Sequence, residues 1–360
     1  AMAWEPVFTR STNGEEDEDG LMREICISLD LKTGKRQWST HFGIMDYKAG
    51  GGNSGASDNK GGDGPRSTPS VLDGKVWAYD SDMSLYCLSA KDGKLIWKVN
   101  ILKEHAGINP RWENASSPLI VDDLVIIYGG GPKESFLAFD KDSGKVKWKT
   151  GSELATHATP ILTKIHGVEQ VIFFCQSGLV SLLPKSGKEL WRQEFPYKVS
   201  TAASPVVAGD LVFCSAGYGV GAGLYQINKR GSKFSSSQVW RKPNDVINHW
   251  STPVYHDGHL YGMFSFKKYG DGPLQCVELK TGRVKWSEDG YGPGNVILAG
   301  NHLLALSDKG ELSIVKASSS HYQEVGRKKL ISGKCWSTPT LSEGKVLVRS
   351  TEEAICLNVK

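Results

Sequence analysis

The side chains able to do chemistry in this chain stand in front of a recurring three-residue phrase. The phrase reads Ser67-Thr68-Pro69, Ser116-Ser117-Pro118, Ala158-Thr159-Pro160, Ala203-Ser204-Pro205, Ser251-Thr252-Pro253 and Ser337-Thr338-Pro339. Just before it come Arg66, Asn114 with Ala115, His157, Thr201 with Ala202, His249 with Trp250, and Trp336; Asn295 holds the matching place in a unit without the proline. One guanidinium, two imidazoles, two indoles and two amides suit an anionic or aromatic ligand if the fold gathers them. Trp112, in an insert, and Tyr218, in a glycine-rich run, complete the candidate ligand-binding set. The set contains no Asp or Glu, so it offers neither the hard oxygen ligands of a Ca²⁺ site nor a carboxylate base. No catalytic or metal-binding residue is assigned.

Each candidate also has a structural reading. His157 and His249 suit hydrogen-bonded strand ends, Trp250 and Trp336 can seal neighbouring sheets, and Arg66 can pair with Asp63. Several chemistries leave no trace: G-x-S-x-G, H-E-x-x-H and paired C-x-x-C motifs are absent. The run Gly217-Tyr218-Gly219-Val220-Gly221-Ala222-Gly223 is followed by a strand pattern, Leu224 to Asn228. A phosphate loop needs a helix there, so the run reads as a hairpin tip.

The elements that position these residues are written in repeats. The stretch LYCLSAKDGKLIWK (Leu85 to Lys98) recurs as ICISLDLKTGKRQW, FLAFDKDSGKVKW, LVSLLPKSGKELW and LQCVELKTGRVKW. Each copy alternates apolar and polar residues, turns at Gly-Lys or Gly-Arg, and ends a second strand on Trp, as a β-hairpin does. Upstream, the proline phrase leads into a strand, a tight turn such as Asp73-Gly74, and a second strand. Four antiparallel strands A to D, repeated every 40 to 60 residues or so, predict an all-β propeller of four-stranded blades.

The phrase L-x-x-x-x-G-K-x-x-W after an alternating strand resembles the pyrroloquinoline quinone (PQQ) repeat, which builds the propellers of quinoprotein dehydrogenases and of the outer-membrane assembly lipoprotein BamB. The resemblance spans nearly the whole chain. The order of GDGPRSTP, Gly217-Tyr218-Gly219 and KCWSTP is similar to PQQ-like propeller proteins of bacteria such as planctomycetes. It implies eight blades, with seven as the alternative count. It also implies that Trp38, Trp97, Trp148, Trp191, Trp240 and Trp286 pack between blades, where such a ring contributes a few kcal/mol or so.

In that family the first strand of the chain completes the last blade. Here the first and last blades are expected to be incomplete, with Pro6 to Ser11 as a B strand and the final unit supplying A to C only. Residues 1–360 are expected to form one propeller domain, with 48–64 as a flexible loop rich in Gly, Ser, Asn and Asp. Quinoprotein dehydrogenases hold PQQ against a ring of two adjacent disulfide-bonded cysteines, with Ca²⁺ and an Asp base. This chain has no Cys-Cys pair and no C-x-x-C-H haem motif. The resemblance therefore implies, first, a non-catalytic exported scaffold that binds a protein, small-molecule or polymeric partner on one face. The alternative is a PQQ-dependent, quinoprotein-like oxidoreductase using the channel pocket.

Composition sets the remaining bounds. A chain of 360 residues with 39% apolar content can bury a large core, and 41 glycines with 11 tryptophans suit many short strands and tight turns. The formal charge of +4 is small and scattered, which gives no nucleic-acid footprint. No apolar run nears the roughly 20 residues that cross a bilayer, and no signal peptide pattern opens the chain. A periplasmic or extracellular place rests on the family resemblance. The seven cysteines are read as small buried hydrophobes, with Cys335 alone expected to approach the central cavity.

Overall fold

The computed structural model describes residues 7–10, 15–16, 18–44, 66–264 and 272–359. Almost all regular structure is β. Sheet one holds β1 (Val7–Arg10), β2 (Glu15–Glu16), β3 (Met22–Leu29) and β4 (Arg36–Ile44), and sheet two β5 (Ser70–Leu72), β6 (Lys75–Tyr79), β7 (Ser84–Ser89) and β8 (Leu95–Asn100). A short helix, α1 (Ile101–Glu104), precedes sheet three: β9 (Leu119–Val121), β10 (Leu124–Tyr128), β11 (Phe136–Asp140) and β12 (Val146–Thr150). Sheet four is β13 (Ile161–Ile165), β14 (Val168–Cys175), β15 (Gly178–Leu182) and β16 (Glu189–Glu194); sheet five is β17 (Val206–Ala208), β18 (Leu211–Ala216), β19 (Gly221–Arg230) and β20 (Lys233–Lys242). Sheet six is β21 (Val254–His256), β22 (His259–Met263), β23 (Leu274–Glu278) and β24 (Arg283–Glu288), and sheet seven is β25 (Asn295–Ala299), β26 (His302–Leu306), β27 (Glu311–Lys316) and β28 (Glu324–Lys329). Sheet eight has β29 (Thr340–Ser342), β30 (Lys345–Arg349) and β31 (Ala354–Asn358).

Sheets two to seven are antiparallel meanders in chain order. The chain divides into two compact units, residues 1–162 with 169–190, and residues 163–168 with 191–360. The expected count of eight blades is corrected to the alternative: among the described residues seven sheets have four strands, and the last unit supplies three strands only, as expected. Sheet one departs from the meander as well. Its β1 and β2 lie end to end along one edge of β3, against Cys26–Leu29 and Met22–Arg23, with β4 on the other edge. The expected loop at 48–64 and the partner Asp63 lie outside the described residues.

Strand periodicity explains why each sheet needs its neighbours. Successive side chains of a strand point to opposite faces, and β6 is buried on both. Val76 and Ala78 join Cys26, Trp38 and Phe42 of sheet one, while Trp77 and Tyr79 join Val125, Ile127, Leu137 and Phe139 of sheet three. In sheet three the other parity, Leu124, Ile126, Tyr128, Phe136 and Ala138, packs on Val171, Phe173 and Val180. The second unit repeats the pattern between sheets five and six, six and seven, and seven and eight. No sheet encloses a core alone.

The Gly-Lys and Trp of the repeated hairpin are two halves of one joint. Trp38 Nε1 donates to Ala90 O at 2.9 Å, Trp97 to Lys141 O at 3.1 Å and Trp148 to Pro184 O at 2.7 Å, each in the C–D turn of the next sheet. In the second unit Trp240 donates to Leu279 O at 2.9 Å and Trp286 to Ser318 O at 2.7 Å. The turn glycine lies flat on that indole: a Cβ on Gly93, Gly144 or Gly187 would come within 2.6, 2.7 and 2.5 Å of the preceding sheet's Trp ring. All three have φ near +70°, so both backbone conformation and ring contact call for glycine.

The proline phrase is a second joint. Its middle hydroxyl accepts from the backbone N–H of the preceding sheet's phrase: Thr68 N to Ser117 Oγ at 2.8 Å, Ser117 N to Thr159 Oγ1 at 3.1 Å, and Ser204 N to Thr252 Oγ1 at 3.0 Å. One backbone N–H in each of these three phrases thereby finds a partner in the neighbouring sheet.

Five cysteines are buried as expected, Cys26, Cys87, Cys175, Cys214 and Cys276, and none of the seven forms a disulfide. Two readings are corrected. Cys335 sits in the core of sheets seven and eight with Leu306 and Ile331; it lies in the segment between β28 and β29, where its backbone N–H is held by Asp308 O at 2.8 Å. Cys356 is exposed on β31, which has no fourth strand beside it in its sheet.

Candidate functional site

In the first unit the structure gathers Arg66, Trp112, Asn114 and His157 around the end of the 101–113 insert. Asn100 caps α1, accepting from Lys103 N at 2.9 Å, and the chain then folds back with Gly107 N on Ile101 O. The insert ends in two consecutive left-handed residues, Trp112 (φ 67°) and Glu113 (φ 65°), a conformation that side-chain-bearing residues seldom adopt. The surroundings hold it. Arg66 donates from Nη1 to Trp112 O, and His157 donates from Nε2 to Arg111 O at 2.7 Å. The Trp112 and His157 rings lie 6.4 Å apart, and the Arg111 guanidinium covers Trp112 at 4.8 Å.

His157 is buried, and burial pulls its imidazole down from 6.5 to about 4, against the hydrogen bond to Arg111 O and with a smaller push from Arg66. It is therefore a neutral donor at physiological pH. Asn114 is fully used: Nδ2 donates to Asp80 O at 3.1 Å and Ser116 O at 3.3 Å, and Oδ1 accepts from Ser116 N at 3.0 Å.

In the second unit the other candidates form a row of rings. Tyr218 meets His249 edge-on at 5.0 Å, His249 lies 5.0 Å from Trp250, Trp250 lies 5.1 Å from Trp336, and Lys334 Nζ covers Trp336 at 4.5 Å. Gly217 makes room for it, since a Cβ there would sit 2.6 Å from His249 Nδ1. Asn295 donates from Nδ2 to Trp336 O at 2.8 Å, and Thr201 from Oγ1 to Ser215 O at 3.2 Å. A small, half-open cleft is lined by His249, Trp250, Ser251, Met263 and Pro293. Among the described residues, Ser251 Oγ, buried there, has no hydrogen-bond partner.

Two groups here escaped the sequence reading. In the sequence Ser251 stands only as part of the proline phrase, and its place after Trp250 is the available signal. Asp308 sits in the turn after β26 with its carboxyl against Gly292, where a Cβ would be 2.5 Å from Oδ1. Burial pushes this carboxyl up, while Lys309 and Lys334 pull it back. No local motif marks it; only the fold places it beside the residue preceding Pro293.

The donor set decides what such a site can hold. Imidazole, indole, amide and guanidinium groups can stack on a ligand or bind anions, but they are poor partners for Ca²⁺. Among the described residues no three His, Cys, Asp or Glu side chains converge as a metal would require. The candidate residues are therefore not themselves a Ca²⁺ ligand set.

Four-stranded meanders joined through an indole and a glycine turn define a β-propeller of the PQQ-repeat class. Residues 22–288 match the family described as outer membrane protein assembly factor BamB, and the chain belongs to that family. It is 23% identical over 218 residues to the tetrathionate hydrolase of Acidithiobacillus ferrooxidans, covering 61% of this chain and 36% of that protein. It is 32% identical over 130 residues to the dehydrogenase subunit of the quinone alcohol dehydrogenase of Gluconacetobacter polyoxogenes, covering 34% and 16%. The aligned part thus spans well under half of each of these relatives. BamB from Moraxella catarrhalis superposes with a TM-score of 0.65 at 13% identity, over 99% of this chain and 92% of that one, a likeness of fold.

Proposed function

We propose that this protein is an exported scaffold that binds a protein partner, as the name of its family suggests, and is not itself a catalyst. One observation carries the reading. The polar candidates Arg66, His157, Asn114 and Asn295 direct hydrogen bonds at the protein's own backbone. Groups committed in this way stabilise the loops and strand ends that form a binding face. Among the described residues no helix is long and apolar enough to cross a membrane, and a periplasmic or extracellular setting follows the family analogy. The small scattered charge argues against nucleic acid as the partner.

The test is cross-linking in the source cell's envelope followed by reconstitution with the purified partner. A stoichiometric complex with one envelope protein is expected. If no such complex reconstitutes, the scaffold reading fails.

The runner-up is a quinoprotein-like oxidoreductase, favoured by the paired indoles of Trp250 and Trp336 and by the short match to a quinone alcohol dehydrogenase. It predicts dye reduction by alcohols after addition of PQQ and Ca²⁺. The scaffold reading predicts none.

A further inference from the structure

We propose that the tip of the β19–β20 hairpin is a docking site for an acidic stretch of a protein partner, an inference that rests on the scaffold reading. These strands have ten residues each, whereas their counterparts β7, β8, β11, β12, β23 and β24 have five or six, and β3 and β4 of sheet one have eight and nine. The extra length carries Lys229, Arg230 and Lys233, all exposed.

The register makes the tip costly for the protein alone. Arg230 stands directly opposite Lys233, and like charges in that position destabilise a hairpin. Relief would normally come from nearby carboxylates, yet residues 211–244 contain five Lys and Arg and no Asp or Glu. Among the described residues neither Arg230 nor Lys233 makes an ion pair. A carboxylate pair from another molecule would remove the repulsion.

The tip is also braced. His166 donates from Nε2 to Ile227 O at 2.8 Å, Lys229 Nζ donates to His166 O at 3.3 Å and lies 5.5 Å over Phe234, and Ser236 Oγ donates to Arg192 O at 2.8 Å. A surface held in place beforehand loses little freedom on binding. Its chemistry selects among polyanions. A lipid-surface anchor presents apolar side chains for insertion, whereas the turn here is Gly231-Ser232 and Phe234 packs beside His166 at 6.4 Å. Nucleic acid calls for a long basic stripe, which a two-residue turn with three cations does not make.

The experiment is fluorescence anisotropy of a labelled oligoglutamate peptide with the whole chain, with Arg230→Glu/Lys233→Glu, and with Lys316→Glu/Lys328→Glu as a control of equal charge change. About tenfold weakening in the hairpin variant is expected, against less than about twofold in the control, with unchanged melting temperatures. Binding should also weaken at least about fivefold between about 50 and 300 mM NaCl. Equal losses in both variants overturn the proposal, as does tighter binding of phosphatidylglycerol vesicles or single-stranded DNA than of the peptide. If the hairpin variant keeps full affinity for the cross-linked partner, docking lies elsewhere and the scaffold reading survives. The peptide titration reads the hairpin even where no partner is recovered.

Discussion

His157 sits where desolvation and a backbone acceptor oppose each other, and desolvation wins, lowering its pKa from 6.5 to about 4. A folded value below the unfolded one means that the unfolded chain binds the proton first. Its contribution is therefore complete above about pH 6.5 and is lost as pH falls toward 4, a change of roughly 3 kcal/mol. Urea unfolding of wild type and His157→Gln at about pH 7 and about pH 4 checks this. Wild type should lose more stability over that interval; equal losses would show that His157 is solvated. Trp148 makes a different claim at the same scale. Trp148→Phe keeps most of the ring but removes the donor to Pro184 O, at an expected cost of about 1 to 2 kcal/mol. A cost below experimental error would reduce that bond to a coincidence of packing.

Among elements, the C–D turn separates two demands that one residue type satisfies. Gly34 and Gly144 share nearly the same backbone, φ 68° and 69°, but a Cβ on Gly34 meets nothing within 4 Å while one on Gly144 lies 2.7 Å from Trp97. Gly34→Ala should cost only the left-handed backbone penalty, about 1 kcal/mol. Gly144→Ala adds displacement of an indole and should cost at least about twice that. Thermal melts of the two variants separate the effects, and equal costs would refute the joint between turn and Trp. The same element shows how far the repeat could be read. The hairpin phrase located C and D strands because alternation and Gly-Lys are local signals. It undershot β19, expected at Leu224 to Asn228 and found at Gly221–Arg230, because the polar extension Asn228-Lys229-Arg230 carries no apolar alternation.

For the whole chain, the cysteines give a direct readout of which faces are covered. Six thiols are buried and Cys356 is exposed, with no disulfide. A thiol reagent should modify one equivalent in the native protein, none in Cys356→Ser, and all seven in wild type after denaturation. More than one fast thiol in the native state would mean that the sheets are not packed on one another as described. The assignment of Cys335 shows why such a question needs the fold: it stands between Lys334 and Trp336 with no strand alternation around it, and only the fold brings it into the core with Leu306 and Ile331.

What the sequence determined by itself is everything that repeats. Strand alternation, turn glycines, proline phrases and terminal tryptophans are short-range patterns imposed once per sheet, so each copy reinforces the others. Tertiary structure alone decided what each polar side chain meets. Arg66 and His157 find carbonyls of Trp112 and Arg111 some 46 residues away, and Trp250 finds Trp336 from another sheet. Asp308 becomes half-buried because the loop between β24 and β25 places Gly292 on it. Pairing between residues far apart in the chain carries no local periodicity, which is why the scaffold could be read from the residues and the site had to be seen.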